Sequence, residues 1–329
     1  MMRLLFQESI ELTLEASLTG EDSLEVGLES GNAIDSPTDA LTLEGRLGFP
    51  ADTEDDRVEL NELSYEFPVG DRASIYISTT GDDLDDFNPL LGNNSNGAIS
   101  EFGSENPIHS LGEDVGLQIN YDLTDELSAS LGYFSDETDP ESGTGFFSGN
   151  YSAFAQLGFE PTDTVLLGLT YIHTYNDSSL ETDTGSLRSQ IEVERPVIGD
   201  SYGISAFFAP SSGVALGGWV GWTNATVLGL GDADVWNYAL TLTLPDLGGE
   251  DHLLGVVIGQ EPRLTGTSGF MIDDRRSDPD RSLHIEAFYS YPVSDHIAVT
   301  PGLIWITAPN HDRNNPDIFV FAVRTTFRF

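Results

Sequence analysis

The chain has 329 residues, of which 55 are acidic and 13 are basic, so its formal net charge is -42 at pH 7. Such an acidic chain excludes nucleic acid as a partner, because phosphate binding requires a basic surface. Cysteine is absent, which excludes disulfides and thiolate metal sites. No stretch reaches the roughly 18 to 20 apolar residues of a transmembrane helix, but strands that cross a bilayer with about 10 residues leave no such stretch.

The N-terminus, Met1–Gln7, lacks the full apolar region and the cleavage site of a signal peptide. We therefore expect Met1 to be an internal start or the start of a shortened chain. Alternation begins directly after it, since apolar residues at 10, 12, 14, 16 and 18 are separated by Glu11, Thr13, Glu15 and Ser17. A period of two places the two sets on opposite faces of a strand.

The same alternation continues along the chain, with tight turns and long polar loops taking turns between the segments. It covers roughly 24–29, 62–67, 73–78, 114–122, 126–134, 149–160, 164–176, 200–209, 213–224, 234–245, 252–261, 282–292, 296–307 and 317–329. This pattern predicts an all-β, transmembrane antiparallel β-barrel of porin architecture with about 16 strands, of which about 15 are present. We interpret Leu41–Phe49 as a half-strand within a long loop, and Met1–Phe6 as the remnant of a first strand.

The last segment is the most informative one. From Phe319 to Phe329 every second residue suits a lipid-facing or interfacial position, whereas Arg324, Thr326 and Arg328 lie between them. An aromatic terminal residue on such a strand is typical of bacterial outer-membrane barrels, with an oily outside and a wet inside. Aromatic residues near other strand ends, including Trp219, Trp222 and Trp236, suit interfacial girdles. A soluble β-sandwich is disfavoured, because about 16 strands are too many for one sandwich.

Motifs along the chain point to a family. Residues 17–22, 29–32, 215–222, 231–238, 245–248, 259–266, 282–288, 300–307, 309–312 and 324–327 resemble, in order, the OprB-type carbohydrate-selective porins, in particular their cyanobacterial, iron-uptake branch. Members of that branch carry a signal peptide, an S-layer homology domain and a coiled coil before the barrel. Nothing similar occurs in this chain, so we assign residues 1–329 to the barrel alone. The resemblance implies an outer-membrane channel, usually a homotrimer, for passive diffusion of small hydrophilic solutes and ions, including carbohydrates or inorganic ions such as iron.

Two groups of residues are candidates for setting selectivity. Alternation predicts that the pore is lined by Glu11, Glu15, Glu25, Glu29, Glu62, Glu66, Arg72, His284, Glu286, Arg324 and Arg328. Within the longest connection, about 79–113, we expect Asp82, Asp83, Asp85 and Asp86 to fold inward and form a constriction loop. The alternatives are a solvated loop tip, and arginine–glutamate pairs that only stiffen the wall. The acidic excess favours cations, or else reflects adaptation to salt.

Other signals favour neither catalysis nor a bound metal or cofactor. Gly199–Gly203 matches G-x-S-x-G, but the residues that follow continue a strand and not the helix that this motif requires. The aspartates at 82–86 lack the spacing of a calcium loop, and the six histidines show no metal-ligand spacing. The expected partners are outer-membrane lipid, small solutes and further copies of the chain, with Gly217, Gly218 and Gly221 as a flat packing patch. The alternative to a channel is a structural envelope barrel with a plugged lumen.

Overall fold

The fold is a single antiparallel sheet in a computed structural model that describes residues 6–33, 42–49, 51–53, 57–79, 97–111, 115–135, 147 and 149–328. The described strands are β1 (Ser9–Ala16), β2 (Ser23–Ala33), β3 (Ala51–Asp52), β4 (Glu59–Pro68), β5 (Ala73–Ser78), β6 (Val115–Asp122), β7 (Leu127–Ser135), β8 (Tyr151–Thr162), β9 (Val165–Asn176), β10 (Val197–Ser211), β11 (Val214–Val227), β12 (Gly231–Pro245), β13 (Leu253–Thr267), β14 (Leu283–Ser294), β15 (Ile297–Thr307) and β16 (Ile318–Phe327).

Each strand pairs with its neighbours in the sequence. The sheet runs from β1 through β2 and β4 to β16, which makes fifteen strands, while the two-residue β3 pairs only with the end of β2. Every pairing between these strands is antiparallel, as the tight turns require. The predicted all-β porin architecture and the count of about 15 strands are therefore confirmed. Connections at one end, such as 163–164 and 212–213, are short, whereas most at the other end are long.

The two faces of the sheet differ in chemistry. Large apolar side chains stay exposed on alternate positions of many strands, as in β9 with Leu167, Leu169 and Tyr171. The intervening side chains, such as Thr170 and Ile172, are buried toward the interior. An apolar exterior around a more polar interior is the arrangement of a membrane barrel. Among the described residues, no helix is both long and apolar enough to cross a membrane.

An aromatic row marks the long-loop end of the outer face. Tyr202, Trp222 and Trp236 stack in sequence on β10, β11 and β12, with ring centroids 5.3 and 5.8 Å apart. Such rings suit the interface between lipid and water. Trp219 does not belong to this row, because it is buried on the inner face against Phe102. Its placement in a girdle was wrong, since the register of β11 turns odd-numbered residues inward.

The same register separates the three glycines proposed as a packing patch. Gly218 lies opposite the outward Leu240, whereas Gly217 and Gly221 lie opposite the inward Thr241 and Asn237. Consecutive residues of a strand point to opposite faces. The three glycines therefore do not form one outer patch.

The segment expected as a half-strand is not a strand. Residues 42–49 are irregular and lie inside the barrel, where a single bridge joins Leu47 to Ser100. The interior core sits at this level. Ile99 packs with Phe288 and Ile304 in one buried cluster, and Ile108 packs with Phe134 in another. Parts of the two longest connections therefore fold inward and pack against the wall.

Candidate functional site: the channel interior

One sector of the inner face is lined by carboxylates. The glutamate wall consists of side chains on β1, β2 and β4, namely Glu11, Glu15, Glu25, Glu29, Glu62 and Glu66. The register places Glu11 opposite Glu29 and Glu15 opposite Glu25. Glu66 lies opposite Tyr76, which packs with the inward residue Ile108, so this face of the sheet points into the barrel. The alternate glutamates of the three strands therefore lie side by side and form one acidic surface.

Among the described residues, no arginine forms an ion pair with the glutamate wall. None of the ion pairs between described residues involves any of its six members. Their hydrogen bonds come from neutral hydroxyls, such as that of Ser64, which donates to Glu62 at 2.7 Å, and that of Ser23, which donates to Glu15 and Glu25 at 3.3 Å. Uncompensated carboxylates at a water-filled surface attract cations and repel anions.

The arginines of the predicted lining lie elsewhere. Arg324 lies on the inner face of β16, and its guanidinium donates to the carbonyls of Gly97 and Ala98. Arg72 lies in the turn before β5 and donates to a carbonyl of the next short turn. Arg328 follows the end of β16. These guanidiniums therefore do not form a row facing the glutamate wall.

From β6 to β12 the inner wall is polar but uncharged at mid-strand. From β6 to β12 the inward positions carry Gln118, Ser130, Gln156, Thr170, Ser205, Thr223, Asn237 and Thr241, all nearly buried. Sequence analysis overlooked this neutral wall, although the alternation of hydroxyl and amide residues with apolar ones was visible. The interior is therefore asymmetric, with a charged sector on β1, β2 and β4 and a neutral sector on β6 to β12.

Two inward segments cover much of the inner wall beyond the glutamate wall. Residues 97–111, which belong to the connection between β5 and β6, place Phe102 against Trp219 and Ile99 against Phe288 and Ile304. Residues 42–49 lie beside them, because the Gly48 amide donates to the Ile99 carbonyl at 3.0 Å. The four predicted constriction residues, Asp82, Asp83, Asp85 and Asp86, lie outside the described residues, so their inward position stays a prediction.

Glycines on the wall make room for the inward segments. A β-carbon on Gly302 would lie 2.5 Å from Cγ1 of Ile99, and one on Gly259 would lie 2.8 Å from the ring of Phe102. At Gly221 it would lie 2.7 Å from Oδ1 of Asn106. Carbon atoms do not approach so closely without displacement, so these positions require glycine.

The predicted lining residues His284 and Glu286 are covered by the inward segment 97–111. Glu286 accepts hydrogen bonds from the amides of Ile99 and Ser100, at 2.5 and 3.3 Å, and from the Ser100 hydroxyl. His284 lies between two carboxylates, with Nδ1 at 2.6 Å from Glu261 and Nε2 at 3.6 Å from Glu286. Both lie on the inner face, as alternation predicts, but their side chains are 1% or less exposed.

Two titratable residues of the inward segments have strongly shifted pKa values. Burial, with a further contribution from the Glu261 carboxylate, raises the pKa of Glu44 to about 8. Burial lowers the pKa of His109 to about 4, and its Nδ1 lies 3.0 Å from Glu105. At neutral pH both side chains are therefore uncharged, as their position inside the protein requires.

The residues of the G-x-S-x-G match form no nucleophilic site. Ser201 lies within β10, is fully buried, and shares a 2.7 Å hydrogen bond with Thr223. A nucleophile elbow needs an exposed serine at a sharp turn. In the part of the chain that the structure describes, no group of three or more histidine, aspartate or glutamate side chains is arranged to hold a metal ion.

Curated relatives and solved structures agree with this architecture. The chain is 32% identical to an uncharacterised protein of Nostoc sp. and 27% identical to one of Synechocystis sp., with 98% of the chain aligned in each case. It spans 61% and 64% of the length of these relatives.

Similar folds occur in Pseudomonas putida OprB, with a TM-score of 0.61 and 11% identity over 98% of this chain and 87% of that one, and in a loop-deleted OmpT of Vibrio cholerae, with a TM-score of 0.62 and 9% identity over 97% of this chain and 89% of that one. Residues 6–329 match the family described as carbohydrate-selective porin, OprB family. Together, the porin fold and this match indicate a location in the outer membrane. The chain belongs to the OprB family of porins.

Proposed function

We propose that the protein is an outer-membrane channel through which ions and small hydrophilic solutes diffuse passively, with a preference for cations. The observation that carries this proposal is the glutamate wall, an uncompensated carboxylate surface on the inner face of β1, β2 and β4. Fixed charges along a pore raise the local concentration of ions of opposite sign. The class of transported solutes then includes inorganic cations, among them iron.

Neutral carbohydrates are the second class of solute in this proposal. The family description, carbohydrate-selective porin, supports the same class. Swelling of proteoliposomes in sugars of increasing size measures this permeation directly, and a barrel that admits only ions would show no swelling with any sugar.

The test for cation preference is the reversal potential of single channels in a planar bilayer under a KCl gradient. Discrete conductance steps with a cation-selective potential support the proposal. Conductance steps without ion selectivity would support a channel but would contradict a role of the glutamate wall in selectivity. If protein that is verified to be folded shows no conductance steps, the alternative of a plugged structural barrel is favoured. The inward packing of residues 42–49 and 97–111 supports that alternative.

We also propose lipid and further copies of the chain as partners. The exposed apolar side chains of the outer face and the stacked aromatic row support contact with lipid. A homotrimer is the assembly that the family resemblance implies. Chemical crosslinking of the protein in native membranes, followed by sizing of the unheated product, distinguishes a trimer from single barrels.

A further inference from the structure

A set of buried charged residues behind the inward segments has no part in the selectivity proposed above. We call Glu261, His284, Glu286 and Arg324 the internal clamp. Its members come from β13, β14 and β16, and the Glu261, His284 and Glu286 side chains are 1% or less exposed. Buried charges are costly unless they are paired and hydrogen-bonded. Here the partners lie on the inward segments as well as on the wall.

Two members of the internal clamp, on different strands, form hydrogen bonds with the backbone of segment 97–100. The Glu286 carboxylate accepts from the Ile99 and Ser100 amides, and Arg324 donates to the carbonyls of Gly97 and Ala98 at 3.0 and 3.1 Å. Consecutive donors and acceptors of the backbone are thus fixed by charged groups. Hydrogen bonds to charged groups are stronger than those between neutral groups, and they are directional.

The other half of the clamp holds the second inward segment. Glu261 accepts from the Gly45 amide at 3.2 Å and from the hydroxyl of Thr184, which lies in the connection between β9 and β10. His284 joins the two halves, because its ring nitrogens face Glu261 at 2.6 Å and Glu286 at 3.6 Å. Residues 42–49 and 97–100 are therefore tied to the wall through one connected network.

We infer that the internal clamp positions the two inward segments and thereby sets the width and steadiness of the channel. This inference rests on the proposed function, since it names what fixes the constriction of the same channel. Apolar packing of Ile99 and Phe102 holds the loop against the wall but tolerates sliding, whereas the bonds of Glu286 and Arg324 define one position. The clamp residues act through the loop and do not face the permeating ions.

The first experiment compares Glu286→Gln with the matched substitution Glu66→Gln on the glutamate wall, both in the full chain. An amide has only one oxygen that can accept, so Glu286→Gln removes part of the hydrogen bonding to Ile99 and Ser100. We expect a larger mean conductance with added fluctuations and little change in reversal potential. Glu66→Gln is expected to lower the reversal potential without adding fluctuations. Equal, steady conductance in wild type and Glu286→Gln would overturn the inference and leave the channel intact.

The second experiment does not depend on conduction. Ile99→Cys places a thiol in a fully buried position of a chain that otherwise has none. If the clamp holds the loop, Glu286→Gln is expected to raise the rate of labelling by a water-soluble maleimide about tenfold or more. Arg324→Met, which removes the other grip, serves as the second variant, and Glu66→Gln as the control. Labelling at the control rate in folded barrels of both clamp variants would contradict the inference, even if no channel activity were found.

A disulfide provides the rescue. A β-carbon at Gly302 would lie 2.5 Å from Cγ1 of Ile99. Because Ile99→Cys removes that branched side chain, the double variant Ile99→Cys, Gly302→Cys makes room for both side chains and brings the two thiols close together. Oxidation of this pair in the Glu286→Gln background is expected to restore the conductance and steadiness of the wild type, and reduction to remove them again. An oxidised pair that leaves the altered conductance unchanged would show that Glu286 affects the pore by some route other than the position of the loop.

Discussion

Neutralising the glutamate wall is expected to abolish most of the cation preference. The perturbation replaces six carboxylates by amides of nearly the same size, namely Glu11, Glu15, Glu25, Glu29, Glu62 and Glu66. They lie on three adjacent strands, and neighbouring strands are about 4.8 Å apart. A cation passing the wall therefore has roughly three or four carboxylates within about 8 Å at any moment, by this spacing.

The magnitude follows from Coulomb's law. At about 8 Å in water one carboxylate contributes roughly 0.5 kcal/mol, and screening at physiological salt reduces this to about 0.2 kcal/mol. Three or four of them sum to about 0.7 kcal/mol, which enriches cations roughly threefold and depletes anions roughly threefold. The permeability ratio is then about ten, and a tenfold KCl gradient gives a reversal potential of about 40 mV.

The assay is the reversal potential of single channels formed by the sixfold variant, which is expected to fall below about 10 mV. The matched control carries six carboxylate-to-amide changes at exposed positions in the short turns or beside them, namely Asp71, Asp125, Glu126, Glu160, Asp163 and Asp295. This control alters net charge by the same amount but leaves the lumen unchanged. An equal fall in both variants would refute the argument, because overall acidity and not the wall would then set the potential.

Three further predictions concern the inward segments and the outer face. Because the pKa of Glu44 is raised from 4.5 to about 8, the stabilisation of the docked segment 42–49 is complete below about pH 4.5 and is lost as the pH rises through about 8. We therefore expect channel fluctuations to increase at alkaline pH, and Glu44→Gln to remove this increase. An unchanged increase in the variant would contradict this. Because the pKa of His109 is lowered from 6.5 to about 4, docking of residues 97–111 should be complete above about pH 6.5 and lost as the pH falls through about 4. Limited proteolysis of folded barrels across this range measures that loss, and His109→Gln should flatten the profile. Leu240 is 71% exposed on the outer face of β12, so Leu240→Arg should cost about 2–4 kcal/mol in denaturant unfolding from lipid vesicles, whereas Leu240→Ala should cost much less; equal costs would place this position outside the lipid.

The sequence by itself determined the strands and their two faces. In β16 the alternation from Phe319 onward predicts both the extent of the strand and the inward position of Arg324, and the structure places both as expected. The same reasoning correctly assigns Glu11, Glu25 and Glu62 to one face of adjoining strands. These features are local, because a period of two and the chemistry of tight turns need only neighbouring residues.

Only the tertiary structure decided which inner side chains meet the lumen. His284 and Glu286 alternate as a lining strand should, yet residues 97–100 cover them, and residues 42–49 lie inside the barrel as an irregular segment where a half-strand was predicted. Contacts such as Ile99 with Gly302 join positions far apart in the chain, and they depend on the shape of both surfaces at once. No local pattern encodes such a fit, so periodicity identified the wall of the barrel while long-range packing determined what lies against it.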